Sequence, residues 1–248
     1  MTTTHIHKKY KHIEPELLQA VTDFETKGDY VTKGERNVIK KFDIEGVFYS
    51  IKKFKTPNAA QSLVYQYLRK SKAKRSFLYA EILTARGIHT PLPVGYVEHF
   101  SGGLKESYYI CEHIEYDFDF RVLNHNPQWP NRAEILRQMA AFTFDLHEKE
   151  INFLDHSPGN TLILDRGDGT YDFYLIDLNR MRFETMSFEK RMHNFRRLWL
   201  SKTMINIMAK EYAKRYNKPE AETHALMTKY SRAFQKKVNS KKLRKRRN

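Results

Sequence analysis

The most informative segment of the sequence runs from Phe153 to Asp177 and reads FLDHSPGNTLILDRGDGTYDFYLID. It contains Asp155, then Asn160 five residues later, and it ends on Asp177. The apolar segments TLILD and YDFYLID predict two short strands, and RGDG between them predicts a turn. All three side chains carry oxygen atoms and lie at strand or loop boundaries, where a scaffold displays functional groups. The stretch therefore predicts a β-hairpin that presents a functional site.

The spacing of these three residues fits the chemistry of phosphoryl transfer. That reaction needs a carboxylate to orient the attacking hydroxyl and oxygen ligands for Mg²⁺. The catalytic loop of protein kinases places its Asp and Asn five residues apart, and a later Asp after a strand binds the metal. Asp155 and Asn160 lie beside Pro158 and Gly159 and are also common turn formers, so their spacing alone leaves both interpretations open. Asp177 after the second strand favours phosphoryl transfer.

Upstream, two β-rich segments predict a hairpin, NVIKKFDI (37–44) and VFYSIKKF (47–54), with Glu45-Gly46 between them. A kinase-type site needs a strand lysine that contacts the ATP phosphates, in a context such as Val-Ala-Ile-Lys. Lys52 in YSIK matches that context. Successive strand residues face opposite sides, so we expect only one of Lys52 and Lys53 to face the nucleotide. A lysine on an exposed strand face is the alternative.

The remaining patterns predict an α+β chain with two lobes that join near residues 112–120. A helical patch is expected at 57–86, and a second strand hairpin is expected from segments 94–100 and 107–114. Three further helical segments are expected, from Asn131, from Phe188 and after Pro219. In the helix from Asn131, Glu134 is a weak match to a capping box.

Composition and charge limit the class of protein. The chain has 248 residues, with 44 Lys and Arg against 29 Asp and Glu, and its net charge of +15 favours anionic partners. Eight basic residues and no acidic ones lie between Lys236 and Asn248, so this tail carries more than half of the net charge. The only cysteine, Cys111, excludes an internal disulfide and a zinc site of several cysteines and fits a reducing cytosol. We expect neither a signal peptide nor a membrane span.

Several motifs together resemble the lipopolysaccharide core kinases, the Kdo/heptose kinase family of Gram-negative bacteria. The motifs are YSIK, GIHTPLPVGYVEH, YYICEHI, LHEKEI, DHSPGN and IDLNR. The resemblance covers about residues 30–185 and implies a protein-kinase-like bilobal fold, with a strand-rich N-lobe and a helix-rich C-lobe. The expected organisation is an N-terminal extension, an N-lobe, a C-lobe and a basic tail at residues 1–29, 30–114, 115–235 and 236–248.

The resemblance also implies roles for individual residues. Asp155 would be the catalytic base, and Asn160 and Asp177 would bind Mg²⁺. Lys52 would contact the ATP phosphates. The remaining nucleotide contacts would be Gly34 in the loop over the phosphates and the backbone from Glu112 to Ile114 against adenine.

Some residues depart from the family pattern. Phe153 stands where these kinases usually have His, and Leu178-Asn179 replaces the usual Phe-Gly. No glycine-rich motif G-x-G-x-x-G is present, and VTKGERN (31–37) offers only Gly34. Alignment places Leu78 where a helix glutamate should pair with Lys52, and Glu81, one turn further, is the substitute candidate. These departures leave a catalytically inactive kinase-like binding protein as an alternative.

The acceptor implied by the resemblance is a Kdo or heptose hydroxyl of the lipid A–core glycolipid. Such an acceptor predicts a cytoplasmic protein, peripheral on the inner face of the inner membrane. The basic tail then predicts a contact with an anionic membrane surface; its other interpretation is a solvated, disordered end. A kinase for a protein or another small molecule stays open, because the same residues serve any acceptor. Only charge favours a nucleic-acid binder, so no specific nucleic acid is expected.

Overall fold

The computed structural model describes residues 1–34 and 37–247, apart from the side chains of Gln66 and of residues 245–247. Glu35 and Arg36 of the predicted phosphate-covering loop, and Asn248 of the tail, lie outside the described residues. The chain divides into two compact units, Met1–Glu115 and Tyr116–Asn248. The division falls within residues 112–120, where the sequence changes from strand-rich to helix-rich patterns.

Within the described residues, the first unit folds on a six-stranded antiparallel sheet in the order β1-β5-β6-β4-β3-β2. The strands are β1 (Thr2–Ile6), β2 (Asp29–Lys33), β3 (Asn37–Ile44), β4 (Val47–Phe54), β5 (Pro93–Phe100) and β6 (Leu104–Glu112). The helices are α1 (Glu14–Thr22), α2 (Ala59–Tyr67) and α3 (Lys72–Ala85). The predicted hairpin of β3 and β4 is confirmed. Glu45 and Gly46 both have positive φ, 54° and 80°, which suits the tight turn of a twisted hairpin.

The N-terminal strand β1 belongs to this sheet. β1 pairs with β5, with Thr2 opposite His99 and Ile6 opposite Gly95. A Cβ at Gly95 would overlap the carbonyl oxygen of His5, so the glycine permits this close pairing. α1 and the 3₁₀ turn Lys8–Ile13 cover the sheet and bury four large apolar side chains: Tyr10, Ile13, Leu17 and, just after α1, Phe24.

The second unit combines helices with two small antiparallel sheets. Its strands are β7 (Phe118–Asp119), β8 (Ile151–Phe153), β9 (Thr161–Asp165), β10 (Tyr171–Leu175) and β11 (Met181–Phe183). Its helices are α4 (Arg121–His125), α5 (Arg132–Glu148), α6 (Phe188–Asn194), α7 (Lys202–Tyr216) and α8 (Glu220–Arg247). In the described residues the sheets have the orders β10-β9-β7 and β11-β8. The predicted hairpin of β9 and β10 is confirmed.

The predicted capping box of α5 is wrong, and one of the two interpretations of the tail, a disordered end, is not supported. Asn131 precedes α5, but its φ of 53° is left-handed and its side chain makes no capping bond among the described contacts. The carboxylate of Glu134 instead accepts hydrogen bonds from Arg137 and Gln138, so the capping box is absent from the described structure. The basic tail is helical rather than disordered, because α8 continues to Arg247. No helix in the described part of the chain is long and apolar enough to span a bilayer.

Candidate active site

The pairing of β8 with β11 places the loop after Phe153 beside the segment IDLNR (176–180). Phe153 lies opposite Met181 in this pairing. The N–H of Leu154 donates to the carbonyl of Arg180 at 3.0 Å. The start of the motif DHSPGN therefore lies beside the end of the motif IDLNR.

The loop from Asp155 to Asn160 is closed by its own hydrogen bonds. The side-chain Nδ2 of Asn160 donates to the carbonyl oxygen of Asp155 at 2.8 Å. The N–H groups of Ser157 and Asn160 donate to the carbonyls of Asp155 and Ser157, at 2.7 and 2.9 Å. The five-residue spacing thus lets Asn160 reach back to the loop's first residue. With the amide nitrogen committed to the loop, the amide oxygen is the Asn160 atom suited to bind a ligand.

Two arginines contact the carboxylate of Asp155. Nη2 of Arg197 lies 2.6 Å from Oδ1, and Nη1 of Arg180 lies 3.6 Å from Oδ2. The Asp155 side chain is 20% exposed, so part of it still reaches solvent. These arginines fix the direction of the carboxylate, because a guanidinium offers donors in a rigid planar arrangement.

Asp177 lies just beyond β10 in a conformation that is uncommon for a residue with a side chain. Its φ is 58°, in the left-handed region, where Asp is one of the better tolerated residues. Its Oδ1 accepts a hydrogen bond from Nδ2 of Asn179 at 2.6 Å. The strand that leads to it is tied to the loop, since the N–H of Ile176 donates to the carbonyl of Asn160 at 3.0 Å. Asn160 and Asp177 are therefore held on adjacent backbone segments.

A buried polar cluster supports the loop from within the second unit. His156 is fully buried, stacks on Phe153, and its Nδ1 lies 3.0 Å from Oδ1 of Asn194. Nδ2 of Asn194 donates to Oδ1 of Asn152 and to the carbonyl of Phe153, both at 3.0 Å. Burial lowers the pKa of His156 to about 4, so its ring is neutral near pH 7. Phe153, in the place usually held by His, thus packs against the histidine three residues later.

In the first unit, the two neighbouring lysines of β4 have different surroundings. Nζ of Lys53 lies 2.7 Å from Glu25 and 2.5 Å from Glu106. Burial alone would lower the pKa of Lys53, but the hydrogen bonds to Glu106 and Glu25 outweigh it and raise the pKa. Lys52 lies opposite Ile39 of β3 and Tyr109 of β6, with Nζ 5.1 Å from the centre of the Phe54 ring. Lys53 therefore has a structural role that ties the Glu25 loop to the sheet.

The other candidate residues of the first unit also have defined positions. Glu81 on α3 lies 3.7 Å from Nε2 of His7. Glu112 ends β6, and its Oε1 accepts hydrogen bonds from the Tyr10 hydroxyl at 2.6 Å and from Lys9 at 3.2 Å. Ile114 follows two residues later and is half-buried.

Gly34 lies directly after β2, in the connection to β3. Its N–H donates to the carbonyl of Asn37 at 3.2 Å, and it is exposed. The next two residues lie outside the part of the chain that the structure describes. Gly34 is thus placed in a strand connection of the N-terminal unit.

Sequence reasoning missed several residues of the site. Arg180 is the last residue of the motif IDLNR, but the sequence alone predicted no role for it. Asn194 is the last residue of α6, and Arg197 lies in the 3₁₀ turn Phe195–Leu198 that follows it, both far along the chain from the loop. Helical periodicity in this region indicated core positions only, so no local pattern pointed to either residue.

Comparisons with known proteins bear on the family and the fold of this chain. The sequence matches the model of the lipopolysaccharide kinase (Kdo/WaaP) family over residues 28–230. Among solved structures, one titled "WaaP in complex with acyl carrier protein" is similar, with a TM-score of 0.66 and 16% identity. The match covers 94% of this chain and 98% of that chain, and at this identity it shows the fold alone. No curated protein matches the sequence significantly.

The family match covers most of the chain, and the structural match has a kinase-like fold. The predicted family, fold class and enzyme class are therefore confirmed. A kinase family also implies the use of ATP. This chain belongs to the lipopolysaccharide kinase (Kdo/WaaP) family and is a kinase with a mixed α and β, protein-kinase-like fold.

Proposed function

We propose that this kinase transfers the γ-phosphoryl group of ATP to a hydroxyl of Kdo or heptose in the lipopolysaccharide inner core. The observation that carries the proposal is the closed loop, in which Asn160 donates to the carbonyl of Asp155. This loop lies within the region matched by the family model. It positions a carboxylate and an amide oxygen at the spacing that phosphoryl transfer uses.

Asp155 is the proposed catalytic base. The sugar hydroxyl would donate a hydrogen bond to its carboxylate, and the proton would pass to Asp155 as the new O–P bond forms and the bond to the leaving ADP breaks. Arg197 and Arg180 support this role because they hold the carboxylate in one direction. A fixed direction favours the attack geometry, since catalysis of this reaction depends mainly on positioning and electrostatics.

Asn160 and Asp177 are the proposed Mg²⁺ ligands. Their donors are an amide oxygen and a carboxylate, the oxygen ligands that Mg²⁺ prefers. Among residues 1–34 and 37–247 there is no group of three or more His, Cys, Asp and Glu side chains suited to hold a metal. A kinase site needs no such group, because substrate phosphates and water supply the remaining ligands. Bound there, Mg²⁺ would offset the charge of the phosphates.

The N-terminal unit supplies the proposed nucleotide contacts. Lys52 would bind the ATP phosphates, with Glu81 as its partner, and Gly34 would approach them through its backbone. Adenine would pair with the carbonyl of Glu112 and the N–H of Ile114. The Glu112 side chain is held by Tyr10 and Lys9, which keeps the end of β6 in place for this pairing.

The end of α8 is the proposed contact with an anionic membrane surface, and it would place the enzyme on the inner face of the inner membrane. Lys236, Lys237, Lys241, Lys242 and Arg244 are all exposed on this helix. Each cation near an acidic leaflet contributes about 1 kcal/mol of attraction. A glycolipid acceptor would require the enzyme to work at such a surface.

The test is a comparison of acceptors. Transfer from ATP is measured with purified Kdo–lipid A, with heptose-extended Kdo–lipid A, and with protein and aminoglycoside acceptors. We expect phosphorylated glycolipid, a dependence on Mg²⁺, and a rate about 10²–10⁴-fold lower with Asp155→Asn at the same enzyme concentration. A higher kcat/KM for the protein or the aminoglycoside than for both glycolipids would overturn the proposed acceptor.

A further inference from the structure

Two arginines contact the proposed catalytic base in the second unit, and a third adjoins one of them in the chain. Arg197 and Arg180 contact the Asp155 carboxylate from two sides. Arg196 precedes Arg197 in the 3₁₀ turn after α6, and its Nη1 donates to the carbonyl of His193 at 2.8 Å. Arg121 adds a fourth guanidinium at the far end of the loop, so close to Gly159 that a Cβ there would overlap it.

These positive charges exceed the negative charge that faces them. Arg121 has its own partner, Asp119, at 3.4 Å. Arg180 and Arg197 share the Asp155 carboxylate, and Arg196 donates instead to the carbonyl of His193. Arg196 is the chain neighbour of Arg197; burial lowers the pKa of Arg196, and the positive charges of Arg197 and Arg180 lower it further. One guanidinium is enough to orient the Asp155 carboxylate, so this role does not explain the other positive charges of the cluster.

The donors of this cluster are not used up by the protein. Nε of Arg197 is buried and has no hydrogen-bond partner in the described part of the chain. The side chain of Arg180 is 54% exposed, and its contact with Asp155 is the longer of the two. Buried unsatisfied donors are rare in folded proteins, so this one calls for an explanation such as a bound water or anion.

We propose that Arg180, Arg196 and Arg197 form a subsite for an anionic group of the acceptor, a carboxylate or a phosphate next to the hydroxyl that is phosphorylated. The inference rests on the proposed function, because a group within reach of the catalytic base lies beside the reacting hydroxyl. Guanidinium groups bind carboxylate and phosphate through paired, charge-assisted hydrogen bonds. The subsite would thus select anionic sugars over the neutral or cationic acceptors of other small-molecule kinases.

Arg196→Gln tests the subsite without removing a contact of Asp155. Arg215→Gln is the matched control, because Arg215 pairs with Glu211 on α7 and belongs to no proposed site. Binding of detergent-dispersed Kdo–lipid A to the full-length enzymes is measured without ATP, and KM and kcat are measured with ATP. Two further acceptors identify the anion: Kdo–lipid A with the Kdo carboxyl reduced to an alcohol, and Kdo–lipid A with its lipid A phosphates removed.

We expect Arg196→Gln to weaken glycolipid binding and to raise the acceptor KM, both by about 10-fold, while kcat and the KM for ATP stay within twofold. One of the two modified acceptors should bind the wild-type enzyme about as weakly as unmodified Kdo–lipid A binds Arg196→Gln. The variant should bind that modified acceptor no more weakly than the wild-type enzyme does. The group removed from that acceptor is then the anion that the subsite binds. Unchanged binding of Kdo–lipid A by Arg196→Gln, or a rise in the KM for ATP alone, would overturn the subsite. Anion-dependent binding without turnover would keep the subsite and refute the proposed function.

Discussion

Replacing Asn194 by Ala should destabilise the second unit and disturb the catalytic loop together. Asn194 is 2% exposed and makes three hydrogen bonds, to His156, to Asn152 and to the carbonyl of Phe153. Each buried partner left unsatisfied costs about 1–3 kcal/mol, and water entering the space would recover part of it. We therefore expect a loss of about 3–5 kcal/mol in the free energy of unfolding, a large share of a typical domain's stability.

The assay is urea unfolding followed by tryptophan fluorescence. Both tryptophans, Trp129 and Trp199, belong to the second unit and report on it. Asn206→Ala is the control, because Asn206 bonds His224 at the exposed surface and its loss should cost less than about 0.5 kcal/mol. In buffer, Asn194→Ala should also lower kcat, since its partners precede and follow Asp155. A loss below about 1 kcal/mol, or a wild-type kcat in the folded variant, would refute the supporting role of this cluster.

Three further predictions concern the metal, the buried histidines and the tail. Asp177→Ala should abolish Mg²⁺-dependent transfer, at a cost of several kcal/mol in the transition state, while circular dichroism shows an intact fold; turnover at the wild-type rate would contradict its role as a ligand. Burial lowers the pKa of His147 to about 3 and that of His156 to about 4, so the unfolded chain binds more protons below about pH 6.5. The free energy of unfolding should then fall as the pH drops from about 6.5 to 4, by up to about 1.4 kcal/mol per pH unit for each histidine. Equal urea midpoints at pH 7 and pH 5 would contradict this prediction. A chain that ends at Gln235 keeps that residue's bond to Leu200 and should retain activity on dispersed acceptor, but it should no longer sediment with acidic liposomes at low salt; equal sedimentation of the two chains would exclude the tail as a tether.

The elements with a local physical cause could be predicted from the sequence. The hairpin of β3 and β4 was predicted with its correct bounds, because Glu45-Gly46 takes up positive φ at both turn positions. The strand β9 was also predicted with its bounds, since the apolar segment TLILD is flanked by turn residues on both sides. The loop from Asp155 to Asn160 could also be recognised locally, because its closing hydrogen bond joins residues at a fixed spacing of five.

Elements that depend on distant partners could not be predicted in this way. β1 is a polar edge strand, TTTHI, and its structure comes from pairing with β5 more than 80 residues later. A disordered end was one of two interpretations of the tail, yet Lys and Arg are good helix formers and extend α8. Arg197 reaches Asp155 only because α6 and its 3₁₀ turn fold back onto β8. Long-range contacts of this kind leave no periodic signal in a single sequence.

The most direct test of the central claim is transfer of labelled γ-phosphate from ATP to Kdo–lipid A by Asp155→Asn, compared with the wild-type enzyme. A general base of this kind contributes about 10²–10⁴-fold, so kcat should fall by that factor while the affinity for ATP, measured by direct titration, stays the same. The substitution retains the size of the side chain and a hydrogen-bond acceptor for Arg197. Loss of ATP binding with an unchanged kcat, or full transfer activity in the variant, would contradict Asp155 as the catalytic base.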